Sequence, residues 1–444
     1  MPLKAQRFSN KGDSQAKYLL KYAEPECASI LEADASLPTL GKTYCVVIPA
    51  YKETPQCVAR LLTHPHASEL LIVLVINQPP SAPATASSTN THLWRWLLEQ
   101  GRTSWATNTC AQTEAPASTA KLALIETTSA AILCVDRFTQ GRAIAEDQGV
   151  GLARKLGADL AIALFAQQAF SHPVIFSTDA DAHLPANYFA AQQKSYACNS
   201  ASSAWVYDYT HNSTGNSAED TEICQATQSY EQAIKYYRNG LAWAGSAYGF
   251  HTLGSTLAVS IAHYCQVRGF PKRAAGEDFY LLNKLAKVGT IKNINNSIIE
   301  IDARTSDRVP FGTGPAAQKI ISQWHNEQQY HYYHPQCFTL LKSLLDNQVT
   351  IWQAIQTGRT PLFINNELDT ENQALINNAL TALNIQRFVS HASKQTRDEK
   401  QFRRQFHDWF DAFLTLKFIR FIAANKYSDL PLQQCLARAP FNQG

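Results

Sequence analysis

The chain has 444 residues, 45 % of them hydrophobic, enough to fill two or three cores. Its 39 basic and 36 acidic residues leave a net charge of +3, so the totals point to neither a nucleic-acid binder nor an acidic-polymer binder. A polar N-terminus, ten scattered cysteines without a Cys-x-x-Cys pair, and no apolar run long enough to span a bilayer predict a reduced, cytoplasmic protein without a transmembrane segment.

Residues 1–40 read as an arm with one short helix near Tyr18 to Tyr22. Strands are expected at Tyr44 to Ile48 (stopped by Pro49), Leu70 to Ile76, Ala131 to Val135 and Pro173 to Phe176. Each is a near-continuous apolar run, the pattern of strands buried on both faces of a parallel sheet. Helical patterns fit between them. One covers Thr54 to Leu62, and another Val150 to Phe165, with Leu152, Leu156, Leu160 and Leu164 four apart. Alternating strands and helices predict an α/β first half. Pro79 to Asn90 and Asn199 to Glu222 are polar and low in complexity, and read as surface loops. Beyond about residue 305 strand signals fade. Phe402, Phe406, Trp409, Phe413 and Leu416 then recur at helical spacing, and one amphipathic helix is expected there. Its polar face carries both signs of charge, which favours packing on a core over the alternative of a membrane-surface helix.

Three motifs carry chemistry. The run Ser177-Thr178-Asp179-Ala180-Asp181 leaves the fourth strand with two carboxylates on one side of an extended chain. Two such oxygen donors suit Mg²⁺ or Mn²⁺, with phosphate oxygens and water completing the shell. The first strand runs out through Pro49-Ala50-Tyr51-Lys52-Glu53. In open α/β sheets ligands bind at the carboxyl ends of strands, so these two tips can line one crevice. Farther on, Gly276 breaks the chain before a helix whose first turn carries Glu277 and Asp278. Acids there can cap the helix, or can take a proton from a substrate hydroxyl in a cleft beyond it.

The ordered set resembles the family 2 glycosyltransferases of GT-A fold. The matching pieces are Val46 to Glu53, the helix containing Gly151-Leu152-Ala153-Arg154, Thr178-Asp179-Ala180-Asp181 and Gly276-Glu277-Asp278. They cover residues 44 to about 300. The resemblance implies a mixed, mainly parallel sheet over residues 41–305, followed by a mostly helical region over 306–444. It implies that Pro49, Ala50, Tyr51 and Glu53 surround a nucleotide and that Arg154 contributes to substrate binding. Asp181 then binds the metal with Asp179 beside it near the ribose, and Asp278, next to Glu277, is the catalytic base. The implied reaction moves a sugar from a nucleoside diphosphate to a hydroxyl acceptor with inversion.

Some features depart from that pattern. The second strand ends in Asn77, which can hydrogen-bond a base edge but brings no charge where the family carries acids. A sugar-phosphate nucleotidyltransferase is a rival, although the Gly-rich loop expected after its first strand is missing. A degenerate domain acting as a binding module is another. The Asp302 to Gly314 join, rich in Arg, Ser and Gly, reads either as a loop closing on a diphosphate or as a linker. His251, His325, His331 and His334 are candidates for a third metal ligand. Tyr236 to Trp243 can stack on a sugar or fill a core.

Overall fold

A computed structural model of the chain describes residues 14–33, 37–107, 120–213, 215–305, 312–359 and 362–441. It forms two compact units, one of residues 1–212 and 252–302 and the other of residues 213–251 and 303–444.

The first unit is built on a ten-stranded sheet. Its strands are β1 (Tyr44–Ala50), β2 (Leu70–Asn77), β3 (Gly101–Ala106), β4 (Lys121–Thr127), β5 (Ala131–Arg137), β6 (Val174–Ser177), β7 (Ala182–His183), β8 (Ser202–Ser213), β9 (Leu257–Ser260) and β10 (Thr290–Ala303). The order across the sheet is β3-β4-β5-β2-β1-β6-β9-β8-β10-β7. The centre, β5-β2-β1-β6, is parallel, as the unbroken apolar runs predict. On one side β4 and β3 run antiparallel; on the other β9 pairs antiparallel with both β6 and β8. The sheet is therefore mixed, and the protein is α/β with a helical C-terminal region. Pro49 does not end β1; it stays in register opposite Val75.

The helix Gly149–Ala166 is buried from Gly151 to Leu164, because it lies flat on the sheet. A side chain at Gly157 would run into the Val47 side chain, so the helix backbone packs directly onto the valines of the sheet there. The described part of the N-terminal arm is pinned to this helix. Tyr18 donates to Asp159 Oδ1 at 2.6 Å, and Lys155 donates to Asp159 Oδ2 at 2.6 Å. Asp159, wholly buried, also accepts the Glu24 N–H at 2.9 Å, which satisfies a charge that burial alone would forbid.

Both predicted polar loops are mostly regular structure. Pro79 to Asn90 runs into the helix Ala84–Glu99, whose buried residues Ala86, Asn90, Leu93 and Leu97 recur at helical spacing. An asparagine in that stripe hides the apolar period. Asn199 to Glu222 holds β8, in which Trp205, Tyr207 and Tyr209 alternate into the core, and the start of the helix Ala218–Trp243, fixed by a Ser217/Asp220 capping box.

The second unit is helical. Its elements include Ala218–Trp243, Thr313–His325, Pro335–Asp346, Val349–Thr357, Thr370–Ala382, Ile385–Gln395, Glu399–Trp409, Ala412–Asn425 and Leu432–Arg438, with one two-residue bridge of His331–Tyr332 to Leu430–Pro431. Residues 213–251 belong here rather than with the sheet, so a single cut near residue 305 does not describe the division. The cause is the helix Ala218–Trp243, whose Tyr236 and Leu241 pack with Phe338, Leu341 and Ile376. Tyr236 is therefore a core residue, and its hydroxyl donates to the Tyr333 carbonyl. The stretch Phe402 to Leu416 is two helices, not one. Asp411 interrupts it and accepts the Phe413 and Leu414 N–H groups, so Phe410 and Phe418 turn inward while Phe413 stays exposed.

Candidate functional site

At β1 the strand order reverses: β2, next in the chain, lies on one side and β6 on the other. The carboxyl ends of β1 and β6 flank this switch point, where α/β sheets hold ligands. The tip of β1 is tightly built. Pro49, Ala50 and Glu53 are buried and Tyr51 is half-buried. Lys52 adopts φ +57°, a conformation the surroundings must hold in place. Asn90 does so by accepting the Lys52 N–H at 3.0 Å, while its amide donates to the Asn77 carbonyl and to Gln78 Oε1, both at 3.1 Å. Asn77 in turn donates to the Ala50 and Val75 carbonyls. Its amide nitrogen thus braces the strand tips.

Arg154 joins the acidic motifs. It is 3 % exposed and donates through Nε to Glu277 Oε1 at 2.8 Å and through Nη2 to Asp179 Oδ1 at 2.5 Å. Its Nη1 donates to Ser177 Oγ and to the Gly254 carbonyl, both at 3.0 Å. Burial disfavours the charge, but Asp179, Glu277 and Asp278 outweigh it and raise the guanidinium pKa. With its donors committed to protein acceptors, Arg154 acts as a strut between the Asp-x-Asp tip and the Glu-Asp helix, not as a group facing the cleft.

Gly276, at φ +74°, makes the turn that starts the helix Glu277–Leu285. Glu277 points inward to Arg154 and is 4 % exposed; Asp278, beside it, is half-buried and accepts the Phe279 N–H at 2.7 Å. The Asp278 carboxyl is pushed from 3.8 up to about 7, first by burial and then by the charge of Glu277. Arg154 and the Phe279 N–H oppose the rise without cancelling it. A carboxylate poised near neutral pH suits proton transfer.

The Asp-x-Asp loop is also gripped from the other face of the sheet. Arg60, on the helix Gln56–Leu62, donates through Nη2 to the Ala180 carbonyl at 2.5 Å, and its Nη1 lies 2.9 Å from His183 Nε2. The same His183 nitrogen lies 2.8 Å from Asp302 Oδ1. It can accept from Arg60 or donate to Asp302, but not both in one tautomer. Arg60 and His183, together with Ile48, Leu61, His64, Thr178 and Asp179, line a cavity of about 240 Å³. His64 is held neutral there: burial lowers its pKa, its Nε2 donates to the Pro185 carbonyl, and its Nδ1 accepts the His66 N–H.

Asp181 is half-buried, and its carbonyl accepts the Asp302 N–H at 3.2 Å. Among the described residues no three His, Cys, Asp or Glu side chains converge as a metal cage. The donor set still fits Mg²⁺ or Mn²⁺, which is ordinarily held by one or two carboxylates with substrate phosphates and water. The histidines singled out in the sequence all belong to the second unit. His325 pairs with Glu222 at 2.7 Å, His334 caps the helix Pro335–Asp346 through Nδ1, His251 is buried, and His331 stands in the short bridge. The segment 306–311, central to the Arg-rich join, lies outside the described residues.

Arg60, Asn90, His183 and Asp302 were not singled out in the sequence. For His183 a signal exists: it continues the two-residue alternation of Asp179 and Asp181. Asn90 could be found as the polar member of a buried helical stripe. Arg60 and Asp302 are brought to the loop by tertiary structure alone.

No family model and no curated protein matches the chain. Among solved structures, it is similar to S. aureus TarS residues 1–349 in complex with UDP-GlcNAc, with a TM-score of 0.37 and 9 % identity over 85 % of this chain and 92 % of that one. The same TarS fragment without that ligand named gives a TM-score of 0.34 at 10 % identity, covering 85 % and 91 %. Longer TarS gives 0.32 at 10 %, covering 83 % of this chain and 55 % of the other.

Proposed function

We propose that the chain is a metal-dependent glycosyltransferase that moves a sugar from a nucleoside diphosphate to a hydroxyl acceptor, with inversion. The observation that supports this best is the Arg154 strut, which ties Asp179 to Glu277 and so sets Asp278 beside the strand tips at the switch point. In this reading Tyr51, Glu53 and the β1 turn embrace the nucleoside, and Asn77 braces that turn instead of reading charge. Asp181, with Asp179 beside it, holds Mg²⁺ or Mn²⁺. The ion, when bound, neutralises charge on the leaving diphosphate. Asp278 takes the acceptor hydroxyl proton as the oxygen attacks the anomeric carbon and the bond to the diphosphate breaks on the opposite face. Its position near neutral pKa means the rate should rise with pH through about 7.

The test is Asp278→Asn. An amide cannot take the proton, so turnover should fall about 10²–10⁴-fold, with donor affinity unchanged. Full turnover in that variant would leave Asp278 as a helix-start residue and remove the case for inversion. The panel of donors should include UDP-GlcNAc and guanosine- and thymidine-diphosphate sugars, since no residue in the site dictates the base.

A further inference from the structure

The net charge of +3 conceals a local concentration. Residues 385–407 hold six basic and two acidic residues, a net +4, so the remainder of the chain is slightly acidic. On the helix Ile385–Gln395, Arg387, His391 and Lys394 recur at i, i+4 and i+7, opposite the buried Ile385, Phe388 and Ala392. On the helix Glu399–Trp409, Lys400, Arg403 and Arg404 form a second stripe opposite the buried Phe402 and Phe406. Exposed Arg397, in the turn between them, links the two. Both acids are already engaged: Asp398 caps its helix by accepting the Gln401 N–H, and Glu399 pairs with Arg403 at 2.7 Å. Among the described residues Arg387, Lys394, Arg397, Lys400 and Arg404 have no acidic partner. The next helix, Ala412–Asn425, adds exposed Lys417 and Arg420 and one exposed aromatic ring, Phe413, with Lys417 5.8 Å from its centre.

We infer that this cationic face docks the protein peripherally on an anionic lipid surface. Five uncompensated cations spread over solvent-facing helix surfaces are a poor investment for folding, since like charges at this spacing repel one another. They suit an extended sheet of negative headgroups, each worth about fivefold in partitioning near such a surface. Phe413 favours a bilayer over a soluble polyanion, because an exposed ring among cations gains by entering the headgroup boundary and gains nothing from a hydrated polymer. Nucleic acid fits less well, since Phe388, Phe402 and Phe406, the rings that would stack on bases, are buried in the helical core. No helix among the described residues is long and apolar enough to cross a membrane, so such attachment is interfacial. It does not depend on the proposed transferase reaction.

The experiment is sedimentation of the full chain with vesicles of phosphatidylcholine alone or mixed with phosphatidylglycerol. The protein should pellet with the mixed vesicles only, and release as salt shortens the screening length from about 10 Å at 0.1 M to about 3 Å at 1 M. The triple variant R397Q/K400Q/R404Q should lose about 10²-fold in partitioning at unchanged melting temperature, and Phe413→Ser should weaken it further. Equal binding to both vesicle types, or undiminished binding by the triple variant, overturns the inference. So does binding to linear polyphosphate that is indifferent to Phe413→Ser while anionic vesicles fail to pellet the protein; that outcome assigns the face to a soluble polyanion.

Discussion

Replacing Asp278 by Asn separates a strained carboxylate from an ordinary helix cap by its effect on stability. An acid in the first turn of an exposed helix is stabilised by the helix dipole, and its loss costs up to about 1 kcal/mol at neutral pH. Asp278 is in the opposite situation, because burial and the neighbouring Glu277 raise its carboxyl from 3.8 to about 7. The sign follows from proton linkage. Between about pH 4 and pH 7 the folded protein retains a proton that the unfolded chain releases, so this group makes folding less favourable as pH rises through that window. The full difference corresponds to at most about 4 kcal/mol, and solvent reaching the half-buried carboxylate reduces the expected effect to about 1–2 kcal/mol. Asp278→Asn should therefore match wild type at pH 4 and melt a few degrees higher at pH 8. Thermal unfolding at the two pH values, followed by circular dichroism, measures this. A variant that is less stable than wild type at pH 8, or shifted equally at both pH values, would refute the strained-carboxylate reasoning and return Asp278 to the role of a cap.

Arg154→Met should be the most damaging single change in the site, since it leaves Glu277 buried without its counter-charge; the expected loss is about 3–5 kcal/mol, read as a drop in melting temperature on the order of 10 °C. Arg154→Lys keeps the charge but not the fork that reaches Glu277, Asp179, Ser177 and Gly254, and should fall between the two. Asn90→Ala removes three hydrogen bonds from a fully buried position and should cost about 2–3 kcal/mol in urea unfolding, with weaker donor binding because Lys52 is released from its left-handed conformation.

The parallel centre of the sheet was legible because β1, β2 and β5 are unbroken apolar runs, a pattern that few other environments produce. The strands at its margins were not. In β8 the inward residues are Trp205, Tyr207 and Tyr209, a short run preceded by Ser202 and Ser203, broken by Asp208 and followed by a polar tail, so composition alone read as loop. Motif order located the Asp-x-Asp tip and the Glu-Asp helix start, since both announce themselves by short acidic clusters next to a strand end or a glycine. Their physical link was invisible. Arg154 reads as one basic residue among the alanines and leucines of a helix, and only the fold shows that its guanidinium spans from β6 to Glu277. Arg60 and Asp302 lie some 120 residues or more from the loop they support, and no local pattern encodes that meeting.

The central claim is that the three acidic motifs form one metal-assisted nucleotide-sugar site. Calorimetric titration of wild type and Asp181→Ala with a panel of nucleoside-diphosphate sugars, with and without Mn²⁺, tests it most directly. Wild type should bind at least one donor in a Mn²⁺-dependent manner, and Asp181→Ala should lose that binding while its melting temperature stays the same. Undiminished Mn²⁺-dependent binding by Asp181→Ala, or no binding of any donor by well-folded wild type, would contradict the claim.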